Sequence, residues 1–188
     1  MMQKNESCLL HIEKQVPIYS LKKGMEIPVG YIINEETKQK MEIFLTYDCY
    51  EETGYHCSVG EFIIENEWEI CYCLISIFFF KTWFIKNSPV VNAILMHEFG
   101  HIVNGDHKKC LSANESNDIR IENIRRGIVD SRELKADYFA ALQVGAKHYK
   151  RALNILKIER KIRDDIGAPI AILEIEHRIK YIEDTFQV

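Results

Sequence analysis

The chain has 188 residues and a formal net charge of −4 at pH 7; 47% of its residues are hydrophobic and 28% are charged. This size and balance predict one folded domain, with or without a helical appendage, and the acidic charge excludes a typical nucleic-acid binder. The most apolar window, residues 70–85, contains Lys81 and is too short to cross a bilayer.

The polar N-terminus lacks the features of a secretory signal peptide, so we expect a cytoplasmic protein whose cysteines stay reduced. Cys71 and Cys73 alternate along a β-rich run and should face the same side of a strand. Cys49, His56 and Cys57 could in principle hold a second metal. Their spacing fits no standard zinc module, which favours buried thiols.

The first half of the chain is rich in β-forming runs. Cys8–Glu13 and Val16–Leu21 are candidate short strands, although a helix followed by a loop fits this part equally well. Val29–Ile33 and Met41–Tyr47 flank a polar turn region and predict a hairpin.

A second hairpin is predicted from Glu61–Glu65 and Trp68–Ser76, turning at Asn66. An aromatic cluster follows it, and we expect these rings to pack in the core rather than to line a substrate pocket. The cluster comprises Phe78–Phe80, Trp83 and Phe84.

The stretch Ser88–Asp106 predicts a helix, with Ser88 as N-cap, Pro89 at the first helical position and Asn104-Gly105 as the stop. One side of this helix is an apolar stripe that should be buried. The stripe consists of Val91, Leu95, Phe99 and Ile102.

The same helix carries an H-E-x-x-H motif on the side away from the stripe. His97 and His101 lie one turn apart, so their imidazoles can hold one Zn²⁺. Glu98 is rotated by about 100° from His97 and flanks the metal rather than binding it. A carboxylate placed there can take a proton from water that the metal activates.

The second half of the chain is predominantly helical. A polar segment, residues 105–130, contains one short predicted helix, and three longer helices follow it. Asp130 or Ser131 can cap the first of these three, and Gly145 can end it. The four predicted helices cover about Asp118–Arg126, Ser131–Val144, Ala146–Asp164 and Pro169–Phe186.

A catalytic zinc site usually takes three protein ligands, and two residues could supply the third. His107 has the spacing of the metzincin motif H-E-x-x-H-x-x-G-x-x-H. However, Asn104 occupies the glycine position, and every methionine precedes His101. The downstream Met-turn of metzincins is therefore missing, which excludes their usual architecture.

Glu133 is the other candidate, and it shares a helix face with Asp137 four residues later. One carboxylate can ligate zinc while the other accepts the free ring N–H of a ligand histidine, which fixes its tautomer. Ala136 and Ala140 are small enough for two helices to approach closely. In the alternative interpretation, Glu133 only completes a capping box with Asp130, which leaves Asp137 without a role.

The run HEFGHIVNGD followed by RELKADYFAA resembles the gluzincin metallopeptidases of the HtpX and CAAX-prenyl-endopeptidase family. The resemblance implies an α+β, zincin-like fold. A small N-terminal antiparallel β-sheet would pack on the motif helix and a second ligand-bearing helix, with a helical hairpin at the C-terminus. It implies one zinc ion and five site residues: His97, His101 and Glu133 as ligands, Glu98 as catalytic base and Asp137 as orienting carboxylate.

Two features distinguish this chain from that family. The membrane helices of HtpX-type enzymes are missing, and the interval between His101 and Glu133 is short, which implies a compact core domain. The soluble ImmA/IrrE zinc peptidases are also similar, although their usual E-x-x-A-N ending differs from Ala136-Asp137. We therefore expect a metallopeptidase domain at 1–145 and a helical hairpin at 146–188 that packs on the same domain.

These features predict a zinc-dependent metallopeptidase that hydrolyses a peptide or protein substrate, with no nucleic-acid partner and no membrane span. The alternative is a catalytically silent zincin-fold binding or regulatory module of a phage or mobile element. An extended substrate would pair with an edge strand of the sheet, and we expect Trp68–Ser76 to be that strand.

The oxyanion that forms during peptide hydrolysis needs a further hydrogen-bond donor. The candidates are His107, Tyr138, His148 and Tyr149.

Overall fold

A computed structural model of the chain describes residues 8–12, 24–47, 57–76, 89–106, 117–163 and 168–188. Within these ranges the strands are β1 (Leu9–Ile12), β2 (Glu26–Asn34), β3 (Gln39–Thr46), β4 (Cys57–Glu65) and β5 (Trp68–Ser76). The helices within the same ranges are α1 (Pro89–Val103), α2 (Asn117–Arg125), α3 (Ser131–Val144), α4 (Ala146–Arg163) and α5 (Ala168–Phe186). The predicted α+β class is confirmed.

The chain divides into two compact units, Met1–Phe99 and Gly100–Val188. The first contains the sheet, and the second contains α2 to α5. The division falls inside α1, which is continuous across it. No helix in the described part of the chain is both long and apolar enough to cross a membrane.

The sheet is mixed, with strand order β1-β2-β3-β5-β4. The pairs β1·β2, β2·β3 and β4·β5 are antiparallel, but β3 and β5 are parallel. The prediction of an antiparallel sheet was therefore wrong at this one junction. Turn residues determine the pairing inside each hairpin, but they do not determine which strand of one hairpin joins the next.

The prediction that β5 is an edge strand was also wrong. β5 is hydrogen-bonded to β3 on one side and to β4 on the other, so its backbone groups are occupied along both edges. β-Augmentation requires unpaired backbone N–H and C=O groups. Among the described strands, β1 and β4 form the two edges of the sheet.

Both hairpin turns lie where the sequence predicts them. Asn34 ends β2, and its side-chain oxygen accepts the backbone N–H groups of Glu36 and Thr37 at 3.0 and 3.2 Å. In the second hairpin, Asn66 and Glu67 both have positive φ, at 48° and 69°. Two consecutive positive φ values are typical of a type I′ turn, whose twist matches that of the flanking strands.

The parallel pair β3·β5 forms the centre of the buried sheet face. Met41 and Ile43 lie directly opposite Cys71 and Cys73, and all four side chains have no exposed surface. Leu45, opposite Ile75, extends this buried row. The strand period of two places these residues on one face, so the prediction that Cys71 and Cys73 share a buried side is confirmed.

The helices of the second unit begin and end near the predicted residues. Asp130 caps α3 by accepting the backbone N–H of Arg132 at 2.9 Å, and Gly145 follows its last turn. The buried stripe of α5 includes Ile175, Ile179 and Ile182 at helical spacing.

Several sequence predictions concern residues outside the described ranges. These are the strand Val16–Leu21, the N-cap Ser88 and the aromatic cluster at 78–84. Two members of the set Cys49, His56 and Cys57, for which buried thiols were favoured over a second metal, also lie there, namely Cys49 and His56.

Candidate metal site

The helix α1 is buried over most of its surface and not only along the predicted stripe; Ala93, Met96 and His97 are at most 6% exposed. The predicted stripe is buried throughout; exposure is at most 1% for Val91, Leu95, Phe99 and Ile102. The helix ends at Val103, and Gly105 in the turn after it has a φ of 66° and donates its N–H to the carbonyl of Ile102 at 2.9 Å. Because glycine adopts this conformation at little cost, the chain can reverse directly after the second histidine.

Gly100 allows α1 to approach α3 closely. A Cβ added at Gly100 would lie 3.0 Å from the Cα of Ala136, 3.1 Å from its carbonyl oxygen and 3.2 Å from Phe139 Cδ1. Ala136 and Ala140 are fully buried. Small residues on both helices thus bring the last turn of α1 next to the first turns of α3, as the sequence predicts.

Three side chains come together at this point: His97, His101 and Glu133. Each offers one ligand atom, and the three atoms all lie within 4.8 Å of one another. Nε2 of His101 and Oε1 of Glu133 are 3.4 Å apart. Two donors on a tetrahedron with zinc bonds of ~2.1 Å lie about 3.4 Å apart, so this pair has the spacing of adjacent ligands.

His101 is held from its other ring nitrogen by Asp106. The distance from Nδ1 to Oδ2 of Asp106 is 3.0 Å, and the side chain of Asp106 is 8% exposed. When Nδ1–H donates to this carboxylate, Nε2 keeps its lone pair on the side of Glu133. The turn at Gly105 places Asp106 back over the helix end. Asp106 was not among the sequence candidates, although the helix stop predicted at Asn104-Gly105, directly before it, was a usable signal.

Asp137 is fully buried and belongs to a cluster with Tyr149 and Arg178. It accepts the hydroxyl of Tyr149, and it accepts Nε and Nη2 of Arg178 at 2.8 and 2.6 Å. Asp137 was predicted to orient a ligand histidine, and this role stays a prediction. The carboxylate that contacts the Nδ1 atom of His101 belongs to Asp106.

The side chains of this cluster shift one another's pKa. Burial, followed by the nearby charge of Asp137, raises the pKa of Tyr149 well above its usual value. Burial opposes the charged form of Arg178, but Asp137 and Tyr149 offset this and raise its pKa well above the usual range. At neutral pH the cluster therefore contains a neutral phenol and a guanidinium cation.

Arg178 also reaches the predicted ligand, with Nη1 3.3 Å from Oε2 of Glu133. The sequence analysis missed this residue because α5 carries many charged residues, and their charge alone does not show which of them is turned toward a neighbouring helix. One signal was available: Arg178 is three residues after Ile175 and four before Ile182, next to the apolar stripe.

The remaining site predictions are not decided by these contacts. Glu98 is half-buried on α1, and His107 lies outside the described residues. Tyr138 stacks on Phe186, and Nδ1 of the exposed His148 is 3.2 Å from the carbonyl oxygen of Val144. Tyr149 uses its hydroxyl proton in the bond to Asp137. Their catalytic roles stay predictions.

No protein-family model, curated protein or solved structure matches this chain. The resemblances to gluzincins and to the ImmA/IrrE peptidases therefore stay predictions. Support for a metal site comes from the arrangement of His97, His101 and Glu133 itself.

Proposed function

We propose that the chain is a zinc-dependent metallopeptidase with His97, His101 and Glu133 as the metal ligands. The observation that carries this proposal is the convergence of three ligand atoms, all within 4.8 Å of one another. Imidazole nitrogens favour zinc and other transition metals over Mg²⁺ or Ca²⁺, which prefer oxygen ligands. Three protein ligands leave one tetrahedral position for water or substrate.

A zinc ion held there would polarise the substrate carbonyl and lower the pKa of a coordinated water. Glu98 supplies the acid–base chemistry: its carboxylate accepts a proton during attack and gives it to the leaving nitrogen. Its position next to His97 on α1 keeps it beside the ligands without making it one of them. Asp106 holds the His101 ring in one orientation and one tautomer.

Metal content and hydrolysis can be measured on the same preparations. We expect wild-type protein purified without chelator to contain about one zinc per chain. Glu98→Gln should keep the zinc and lose hydrolysis of a mixed peptide library, because it removes only the proton acceptor. Exposed His11 on β1 offers a matched histidine control, and His11→Ala should keep both. Wild-type protein without zinc would overturn the proposal.

The third ligand is tested separately. Glu133→Ala should weaken zinc binding strongly, because it removes one of three donors, whereas His107→Ala should leave the zinc affinity unchanged. The reverse result would make His107 the third ligand. A catalytically silent binding module is recognised by a different result, namely full zinc content without hydrolysis of any library peptide.

A further inference from the structure

A partly buried cation on the last helix, Arg178, contacts one of the proposed zinc ligands. We propose that Arg178 is a positioning residue that fixes the Glu133 carboxylate, so that Oε1 is the oxygen offered to the metal. This inference rests on the proposed zinc site. It adds a residue from α5, 45 positions after Glu133 (178 − 133), to the residues that prepare that site.

The two oxygens of Glu133 have different surroundings. Oε1 lies 3.4 Å from Nε2 of His101, whereas Oε2 lies 3.3 Å from Nη1 of Arg178. An ion pair to Oε2 holds the carboxylate plane and leaves Oε1 directed at the histidine. Without this contact, the carboxylate could rotate about its last torsion, which has a broad energy profile, and offer either oxygen.

Arg178 can fix Glu133 because Asp137 fixes Arg178. The guanidinium makes a two-point contact with Asp137 through Nε and Nη2, which sets the direction of Nη1. Tyr149 donates to the same carboxylate, and Asp137 has no exposed surface. The side chain of Arg178 is 13% exposed. Lysine could supply the charge but not this planar, three-way geometry.

A role of Arg178 through its charge and a role through its geometry predict opposite effects on zinc affinity when the residue is replaced. A cation near a divalent ion repels it, so a purely electrostatic role predicts tighter zinc binding when the charge of Arg178 is removed. A positioning role predicts weaker binding, since Glu133 loses its fixed orientation. A purely structural role predicts lower stability with unchanged zinc affinity.

The test compares Arg178→Lys with Arg120→Lys, both prepared as metal-free protein. Zinc affinity is measured by competition with a chromophoric chelator, and ligand geometry by the visible absorption of bound Co²⁺. Arg178→Lys keeps the positive charge but loses the planar guanidinium that contacts Asp137 and Glu133 together. We therefore expect the zinc Kd to rise about 10- to 100-fold and the absorption band of bound Co²⁺ to change. Arg120→Lys is the matched control, because Arg120 also contacts a glutamate, Glu174 on α5, with Nη2 and Oε2 3.0 Å apart, outside the proposed site. It should leave the zinc Kd unchanged.

A second variant tests the same proposal if Arg178→Lys does not fold. Asp137→Asn with Arg178→Gln replaces the Asp137–Arg178 ion pair by two neutral amides, so that neither charge is left without its partner. We expect the same rise in Kd. If wild-type protein binds zinc and both variants bind it equally well, the positioning role is overturned and the proposed function stands. If wild-type protein binds no zinc, both are overturned.

Discussion

Oδ2 of Asp106 lies 3.0 Å from Nδ1 of His101, one turn beyond the end of the helix that carries the histidine. The contact is local in sequence and depends on the chain reversal at Gly105. A carboxylate on the distal ring nitrogen makes the imidazole a stronger donor and prevents it from turning. Asp106 is therefore expected to matter for metal binding although it is not itself a proposed ligand.

Replacing Asp106 by asparagine tests this expectation. The amide oxygen can still accept Nδ1–H, but the negative charge that strengthens the imidazole as a donor is lost. We expect the zinc Kd to rise about tenfold for Asp106→Asn and closer to 100-fold for Asp106→Ala. Chelator competition measures both values. The exposed Asp184 on α5 is the control, and Asp184→Asn should bind zinc as the wild type does. Equal affinities for all four proteins would contradict the expectation.

Local signals made the secondary structure predictable. Asn66 supplies the turn of a hairpin, and Asp130 and Gly145 mark the two ends of a helix; each acts within a few residues of itself. The parallel joining of β3 to β5 has no such signal, because it depends on which edges of two separate hairpins bury the most surface. This explains why the two hairpins and the ends of that helix were predicted correctly and the parallel pairing of β3 with β5 was not.

The candidate site divides in the same way. His97 and His101 follow from helical spacing, and Glu133 follows from the need for a third donor on a neighbouring helix. Asp106 required knowledge of a chain reversal, and Arg178 required knowledge that α5 lies beside α3. Contacts across a long sequence interval, such as that between Arg178 and Asp137, leave no periodic trace in a single sequence.

Gly100→Ala should destabilise the protein despite the helix preference of alanine. Alanine gains about 1 kcal/mol over glycine in a helix interior. The new Cβ would lie 3.0 Å from a backbone atom of Ala136, which cannot rotate away, and overpacking typically costs about 1–3 kcal/mol. We expect a net loss of about 1 kcal/mol in urea unfolding of the metal-free protein. An increase in the free energy of unfolding would show that the helices can separate without cost.

The cap of α3 should make stability depend on pH in the acid range. The hydrogen bonds and charge of Arg132 lower the pKa of Asp130 below its usual value, despite partial burial. Since the folded-state pKa is depressed, the contribution of Asp130 is present above the unfolded-state pKa of about 3.9 and is lost as the pH falls through the folded-state value.

Asp130→Ala should therefore cost about 1 kcal/mol at pH 7, the usual value for losing an N-cap, and less below about pH 4. Asp130→Ser is the matched variant: it keeps a cap oxygen for the N–H of Arg132 but has no charge, so its stability should vary less with pH in this range. Urea unfolding at several pH values measures both. A constant difference between wild type and Asp130→Ala from pH 7 to pH 3 would contradict the assigned charge effect.

Cys71 should resist alkylation while the protein is folded. Its side chain has no exposed surface, and burial, followed by the nearby Cys73, raises the pKa of its thiol. Only the thiolate reacts rapidly, so iodoacetamide at pH 8 should label Cys71 in urea but not in buffer. Cys8, which is partly exposed, is the internal comparison and should react in both. Peptide mass mapping after a short pulse distinguishes them, and rapid native labelling of Cys71 would mean that the sheet opens there.

Glu67→Gly should stabilise the second hairpin. Asn66-Glu67 adopts two positive φ values, and the αL region costs an ordinary L-residue such as glutamate roughly 1–2 kcal/mol. Glycine removes this cost but loses more chain entropy on folding, about 0.5–1 kcal/mol, so we expect a net gain of about 0.5–1 kcal/mol. Asn-Gly is also the preferred pair for a type I′ turn. Glu35→Gly in the first hairpin is the matched control: Glu35 has no positive φ, so only the entropy loss remains and stability should fall. The two variants should thus shift the urea midpoint in opposite directions, and a shift in the same direction would show that the backbone at Glu67 is not strained.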